Sequence, residues 1–200
     1  MQRIVTKGER LSKIRRQLKA ANKRFKKLTR KEQRIAIAED VIAQVKAKKF
    51  VAASTYFEIG NKPEFEGDTY PGEVAGIDNA VEAELSTGEC IAQVGCMVCG
   101  IGSLFASAVM KHDKQTFDNN VNRDVETDYL NRWFDDAQLD LIEAYYERQD
   151  YRMVGFGYED SPIYNEYDDN RRLIMIMENI VSNGGVFDQE CGAHEIGDDQ

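Results

Sequence analysis

Long apolar runs, cysteine and histidine are all scarce in this 200-residue sequence. The longest charge-free apolar stretch, Gly95 to Met110, holds 16 residues. A membrane span needs about 20, so no transmembrane helix is expected. The four cysteines, Cys90, Cys96, Cys99 and Cys191, are irregularly spaced, and no secretory apolar region precedes them. That combination argues against a disulfide scaffold and for a reducing compartment. Two histidines, His112 and His194, leave little material for imidazole catalysis or a histidine-based metal site. Proline is limited to three residues, two of them between positions 61 and 76. No internal repeat or low-complexity segment is present.

Charge is plentiful but unevenly distributed. The net charge is −9, yet residues 1–50 carry 17 Lys and Arg against 4 Asp and Glu. Residues 51–200 carry the reverse, 9 against 31. Such polarity suits an intramolecular docking of the two parts, a head-to-tail homo-oligomer, or separate partners for a basic arm and an acidic body. The basic stripe is helical in pattern. Leu11, Ile14, Leu18, Ala21 and Phe25 recur at spacings of three and four over residues 7–28. Arg15, Arg16, Lys19, Lys23, Arg24, Lys26 and Lys27 fill the other sides. Clustered cations of this kind fit nucleic-acid phosphate, although no helix-turn-helix, zinc-finger or RNA-recognition signature accompanies them.

The stretch from Cys96 to about residue 111 reads as one narrow, buried central helix. Lys111, His112 and Lys114 suit its C-terminal end. Two sharper readings attach to its cysteines. Cys96-x-x-Cys99 with Cys191-x-x-His194 offers four soft ligands for a tetrahedral zinc. Alternatively, a cysteine at a helix N-terminus has a lowered pKa and can act as a nucleophile. On one continuous helix, however, His112 lies about 20 Å beyond Cys99, too far to serve as its base. Against both stands the ordinary behaviour of reduced cysteine as a small buried hydrophobe.

Elsewhere the pattern is legible in order. Thr29-Arg30-Lys31-Glu32 is a capping box that opens a helix over about residues 30–48, with Ile35, Ala38, Val41, Ile42 and Val45 inward. Phe50 to Ile59 is the best strand candidate. Residues 61–76 read as loop, with a short helix at about 78–85 and a lead-in from Glu89 to Val94. Asp124, Glu126 and Asp128 alternate as in a calcium loop, but the glycine and terminal glutamate of that loop are missing. Asp135 and Gln138 open a helix over 136–149, preceded by Trp133 and Phe134 as a staple. Residues 150–169 form an acidic-aromatic segment whose length suggests a partner surface, with Tyr158, Glu159, Asp160, Tyr164, Glu166, Tyr167, Asp168 and Asp169 as its candidate contacts. A last helix spans 170–183 and stops at Asn183-Gly184-Gly185, after which Val186 and Phe187 can pack back. The tail from Asp188 is acidic and expected to be mobile.

Three segments also agree in order with one pattern. The first is Arg34-Ile35-Ala36-Ile37-Ala38-Glu39-Asp40-Val41-Ile42, followed by a tyrosine-bearing strand. The second is Cys96-Met97-Val98-Cys99-Gly100-Ile101-Gly102-Ser103-Leu104-Phe105. The third joins Phe134, Gln138, Leu139, Leu141, Ile142 and Glu143 to Arg172, Leu173, Ile176, Met177, Ile180, Val181, Asn183, Gly184, Gly185 and Phe187. This order resembles a family of small proteins of tailed phages and prophages whose central motif is similar to Cys-x-Val-Cys-Ala-Leu-Gly-Ala-Leu-Phe. Gly100 and Ser103 replace alanines of that motif. The resemblance covers about residues 30–187 and leaves out both the basic arm and the Cys191/His194 tail. It implies a phage origin and action in the bacterial host cytoplasm, and brings no activity with it.

The expectation is therefore a mainly α (α+β) fold, with five or six helices around the 96–111 helix and a minor β element. The organisation is a basic N-terminal helix (1–29), a helical core domain (30–187) and an acidic tail (188–200). Functionally, a non-catalytic phage protein is expected to bind a host or phage macromolecule, in host takeover or anti-defence, through its charged surfaces and without a cofactor. The alternatives are a nucleic-acid-binding module using the basic helix, and a cysteine- or zinc-dependent enzyme.

Overall fold

In the computed structural model, residues 7–53, 57–59, 86–112, 117, 122–147 and 161–189 are described. Helix α1 runs Lys7–Phe25 and α2 runs Arg30–Lys46. Strands β1 (Phe50–Ala52) and β2 (Phe57–Ile59) come next, then helix α3 (Thr87–Val94) and strand β3 (Cys96–Val98). The remaining helices are α4 (Gly100–His112), α5 (Arg123–Leu130), α6 (Asp136–Glu147), α7 (Pro162–Asn165) and α8 (Asp169–Ser182). The architecture is mainly α with one small sheet, as the periodicity predicts.

Helix α4 is the centre of the packing. Every residue from Gly100 to Met110 is buried, and α1, α2, α3, α5 and α6 all lie against it. Its small residues make this possible. A Cβ on Gly100 would stand 3.0 Å from Cβ of Tyr146 on α6, so any larger residue there would press Tyr146 away. Both buried serines have hydrogen-bond partners. Ser103 Oγ donates to the Gly100 carbonyl at 2.7 Å, and Ser107 Oγ donates to Asp40 Oδ2 of α2 at 2.8 Å. Lys111 Nζ lies 3.3 Å from the other Asp40 oxygen, so a polar link ties α2 to α4 across an otherwise apolar contact. The second large contact joins α2 to α8, where Ile37, Val41, Leu173, Ile176 and Ile180 are all buried.

The central helix begins later than the sequence suggests. Cys96–Val98 is not its first turn but the middle strand of a three-stranded sheet ordered β1-β3-β2. β1 pairs with it in parallel, Phe50 opposite Cys96, and β2 pairs antiparallel, Ile59 opposite Cys96. A short buried apolar run carries no periodicity that separates strand from helix. The decision comes from partners far away in the chain. Gly95 makes the entry possible. Its φ is +80°, and a Cβ there would lie 2.3 Å from the Lys49 carbonyl oxygen, the same oxygen that accepts from Cys96 N–H at 2.9 Å. The proposed Phe50–Ile59 strand is likewise two strands, on opposite sides of β3. Glu89–Val94 belongs to α3, whose N-terminus has a Ser86/Glu89 capping box.

The helix starts are closer to expectation. Thr29 and Glu32 form the predicted capping box, with Thr29 N–H donating to Glu32 at 2.7 Å. Asp135 accepts from Gln138 N–H at 2.9 Å. Gln138 does not complete a box, however: its side chain brackets Phe187, donating to the carbonyl and accepting from the N–H. Phe187 is thereby buried and packs edge-on against Tyr145, ring centres 5.0 Å apart. Asp168 caps α8, and Gly184 and Gly185 end it with φ of +68° and +90°. The predicted helix at 78–85 lies outside the described residues. No helix among the described residues is long and apolar enough to cross a membrane.

Candidate functional site

Helix α1 turns its apolar stripe inward. Leu11, Ile14, Leu18 and Ala21 are half-buried, and Phe25 is buried. Phe25 is held by edge-on contacts with His112 of α4 and with Trp133, ring centres 6.1 and 5.8 Å away. Asn22 donates from its side-chain amide to the His112 carbonyl. Burying this stripe fixes which cations face out. Arg16, Lys19, Lys23, Arg24, Lys26 and Lys27 are all exposed. Among the described residues none of the six has an ion-pair partner; Arg16 only donates to the Ser12 carbonyl one turn back. Arg15 differs, meeting Glu89 of α3 at 2.9 Å. Arg16, Lys19 and Lys23 follow one another at spacings of three and four along one side of α1, and Lys27 follows in the turn just beyond its end.

The cysteines read differently in three dimensions. Cys96 and Cys99 are free thiols, each buried. Cys99 does sit just before a helix, and its Sγ accepts from Gly102 N–H at 3.3 Å, as a capping group would. Yet burial pushes both thiols upward, and for Cys99 the nearby Glu126 adds to the rise. An apolar cover outweighs the helix end, so the lowered pKa that a nucleophile requires is not present. Cys191 and His194 lie outside the described residues. Among the described residues, no group of three or more His, Cys, Asp or Glu side chains is arranged to hold a metal ion.

Of the acidic-aromatic candidates, Tyr158, Glu159 and Asp160 lie outside the described residues. The others are divided between local structure and surface. Asp168 caps α8, accepting from Arg171 N–H at 2.8 Å. Asp169 pairs with the buried Arg172, and Glu166 pairs with Arg171 at 3.0 Å. Tyr164 packs edge-on against Tyr145 at 6.3 Å. Tyr167 alone of the described members is turned outward as a large side chain, 80% exposed. Arg172 organises this corner. Its guanidinium donates to the Tyr146 carbonyl at 2.7 Å and the Glu166 carbonyl at 2.6 Å.

A further cluster escaped sequence reasoning. Asp124, Glu126 and Asp128 do not form a calcium loop but lie on helix α5, with Glu126 turned away from solvent. Glu126 has no exposed surface, and neither carboxylate oxygen has a hydrogen-bond partner. Burial, reinforced by Glu143 of α6, pushes it up to about 9. Arg123, one turn earlier on α5, donates to Glu143 Oε2 at 2.7 Å and also pairs with Asp140. Burial raises Glu143 as well, with Arg123 opposing. A signal for this existed: Glu126, Tyr129, Leu130 and Trp133 fall at i, i+3, i+4 and i+7, the spacing of an inward helix face. No protein-family model, curated protein or solved structure matches this chain.

Proposed function

We propose that this protein is a non-catalytic binding protein that engages the phosphate backbone of a nucleic acid through the outer face of α1. One observation carries the reading: four cations of α1 and two more in the turn just after it are exposed and unpaired by the described part of the body, although the chain as a whole is strongly acidic. Were the basic helix only an internal neutraliser of that acidity, its lysines would meet carboxylates. Instead, among the described residues, Arg15 alone reaches one, Glu89, at 2.9 Å. Phosphate recognition needs only spaced cations and is sequence-independent, which agrees with the lack of a base-reading motif. The buried thiols favour binding over thiol chemistry. The phage setting rests on the motif resemblance of residues 96–105.

The test is the salt dependence of binding to a short DNA or RNA duplex. Engagement of the Arg16, Lys19, Lys23 and Lys27 row predicts a log–log slope near −3 to −4, at about −0.9 per phosphate neutralised on DNA. Replacing those four residues by glutamine should flatten the slope by most of that amount. Absence of binding at low salt, or a slope that the substitutions leave alone, refutes the reading. A second reading, a basic protein partner at the acidic-aromatic segment, is favoured by the exposure of Tyr167. It predicts that Tyr167→Ala weakens capture of such a partner while duplex binding is unchanged.

A further inference from the structure

A buried carboxyl group without a hydrogen bond is costly in its ionised form, and Glu126 is such a group. Its neighbours offer no remedy. From α6 it faces Glu143, and beyond it on the same helix stand Asp140 and Glu147. From the turn between β3 and α4 it faces the Cys99 thiol, itself pushed upward. The one nearby cation among the described residues, Arg123, shares Glu126's own helix and is committed to Glu143 and Asp140. Both Glu126 oxygens are left alone in an apolar contact between helices.

We propose that Glu126 is a proton-held latch: as a neutral acid it lets α5 lie against α4 and α6, and loss of its proton releases α5. The direction follows from proton linkage. A released Glu126 ionises near the ordinary value of 4.5, whereas in place it is pushed up to about 9. Between those two values the released form holds fewer protons, so opening is favoured by up to tenfold for each pH unit. Above the upper value both forms are ionised and the effect levels off. Below the lower value both are protonated and the latch is fully closed.

Release of α5 would be felt at the foot of the basic helix. Helix α5 ends at Leu130, and the turn that follows carries Trp133. The Trp133 carbonyl accepts from Arg30 at 3.0 Å and Arg34 at 3.2 Å, and its indole N–H donates to Gln33 at 2.9 Å. The same indole packs on Phe25, the last residue of α1. The α1–α2 junction is thus fastened to the turn that the latch controls. This inference does not depend on what α1 binds.

Amide hydrogen exchange of Tyr129 and Leu130 in the full chain, without nucleic acid, tests it. After correction for the intrinsic exchange rate, the opening constant should rise on the order of a thousandfold between pH 5 and pH 8. In Glu126→Gln it should stay flat. Glu126→Leu, which removes the polar group altogether, should be flat too and guards against a glutamine variant that folds poorly. Fluorescence of Trp133, the single tryptophan, should follow the wild-type profile. A wild-type opening constant that does not vary with pH, or one that varies equally in the folded variants, overturns the latch.

Discussion

Two helices of this protein carry charge in opposite ways. Helix α1 sets most of its cations outward into water, and of those whose side chains are described only Arg15 meets a described carboxylate, Glu89. Helices α5 and α6 set Glu126 and Glu143 inward; the half-buried Arg123 guanidinium serves Glu143 and the exposed Asp140, and Glu126 is left without a hydrogen-bond partner. On the outer surface, charge is nearly neutral for stability and available for binding. Inside, the same chemistry controls stability and is sensitive to protons. A net charge of −9 conceals this distinction.

The contrast breaks most severely at a buried cation. Arg172 is 4% exposed and donates to two backbone carbonyls while pairing with Asp169. Arg172→Ala should cost about 3–5 kcal/mol, because the carbonyls of Tyr146 and Glu166 would lose their donor in a dry site. Denaturant unfolding at pH 7 measures it. A loss no larger than that of an exposed lysine would mean that burial does not separate the two kinds of charge.

Glu126→Gln has the opposite sign. The folded protein holds Glu126 up to about 9 against an ordinary 4.5, so the wild type loses stability as pH climbs between those values. The glutamine variant escapes this loss. Its advantage should grow by about 1.4 kcal/mol per pH unit over that window and be smallest near pH 5. Urea midpoints at pH 5, 6, 7 and 8 would show the two proteins diverging; parallel midpoints would contradict the buried-acid account.

How much of this was legible beforehand depends on what decided each element. Helices α2, α6 and α8 were decided locally, by caps at Thr29, Asp135 and Asp168 and by apolar spacing, and their starts were readable to within a residue or two. The start of α4 was not. Cys96-Met97-Val98 is apolar enough for either element, and its strand state depends on pairing with residues 50–52 and 57–59, about 40 positions earlier. The basic face of α1 was readable from residue spacing. The isolation of all but Arg15 among its described cations from the described carboxylates was not, since that concerns what the rest of the chain fails to bring near. Glu126 sat in plain view on an inward face, but its alternation with Asp124 and Asp128 drew attention to a loop chemistry that a helix does not allow.

Smaller effects test the contrast from its ordinary side. Thr29→Ala removes the capping hydroxyl from α2 and should cost about 1 kcal/mol, intermediate between a buried charge and an exposed one. Thermal unfolding would register it as a fall of a few degrees. Arg15→Gln breaks the ion pair with Glu89, in which the arginine side chain is 46% exposed. Less than 0.5 kcal/mol is expected, as for other solvent-screened pairs.

The smallest change in stability is expected where the functional change is largest. Substituting Arg16, Lys19, Lys23 and Lys27 together by glutamine removes three positive charges from α1 and one from the turn that follows it. None of the four has an ion-pair partner among the described residues, so no ion pair is lost, and the exposed Arg16 gives up only its bond to the Ser12 carbonyl. Like charges at spacings of three and four repel by a few tenths of a kcal/mol for each pair, so the melting temperature should hold or rise slightly at low salt. Calorimetry at 20 and 300 mM salt would separate these terms, because repulsion fades as the Debye length shortens. A marked drop in melting temperature would show that the row helps to hold the fold, and would remove the reason for assigning it to a partner. An unchanged or raised melting temperature together with a flattened salt slope for duplex binding would mean that the two properties belong to different faces of the same helix, the apolar face fixing α1 and the basic face free to bind.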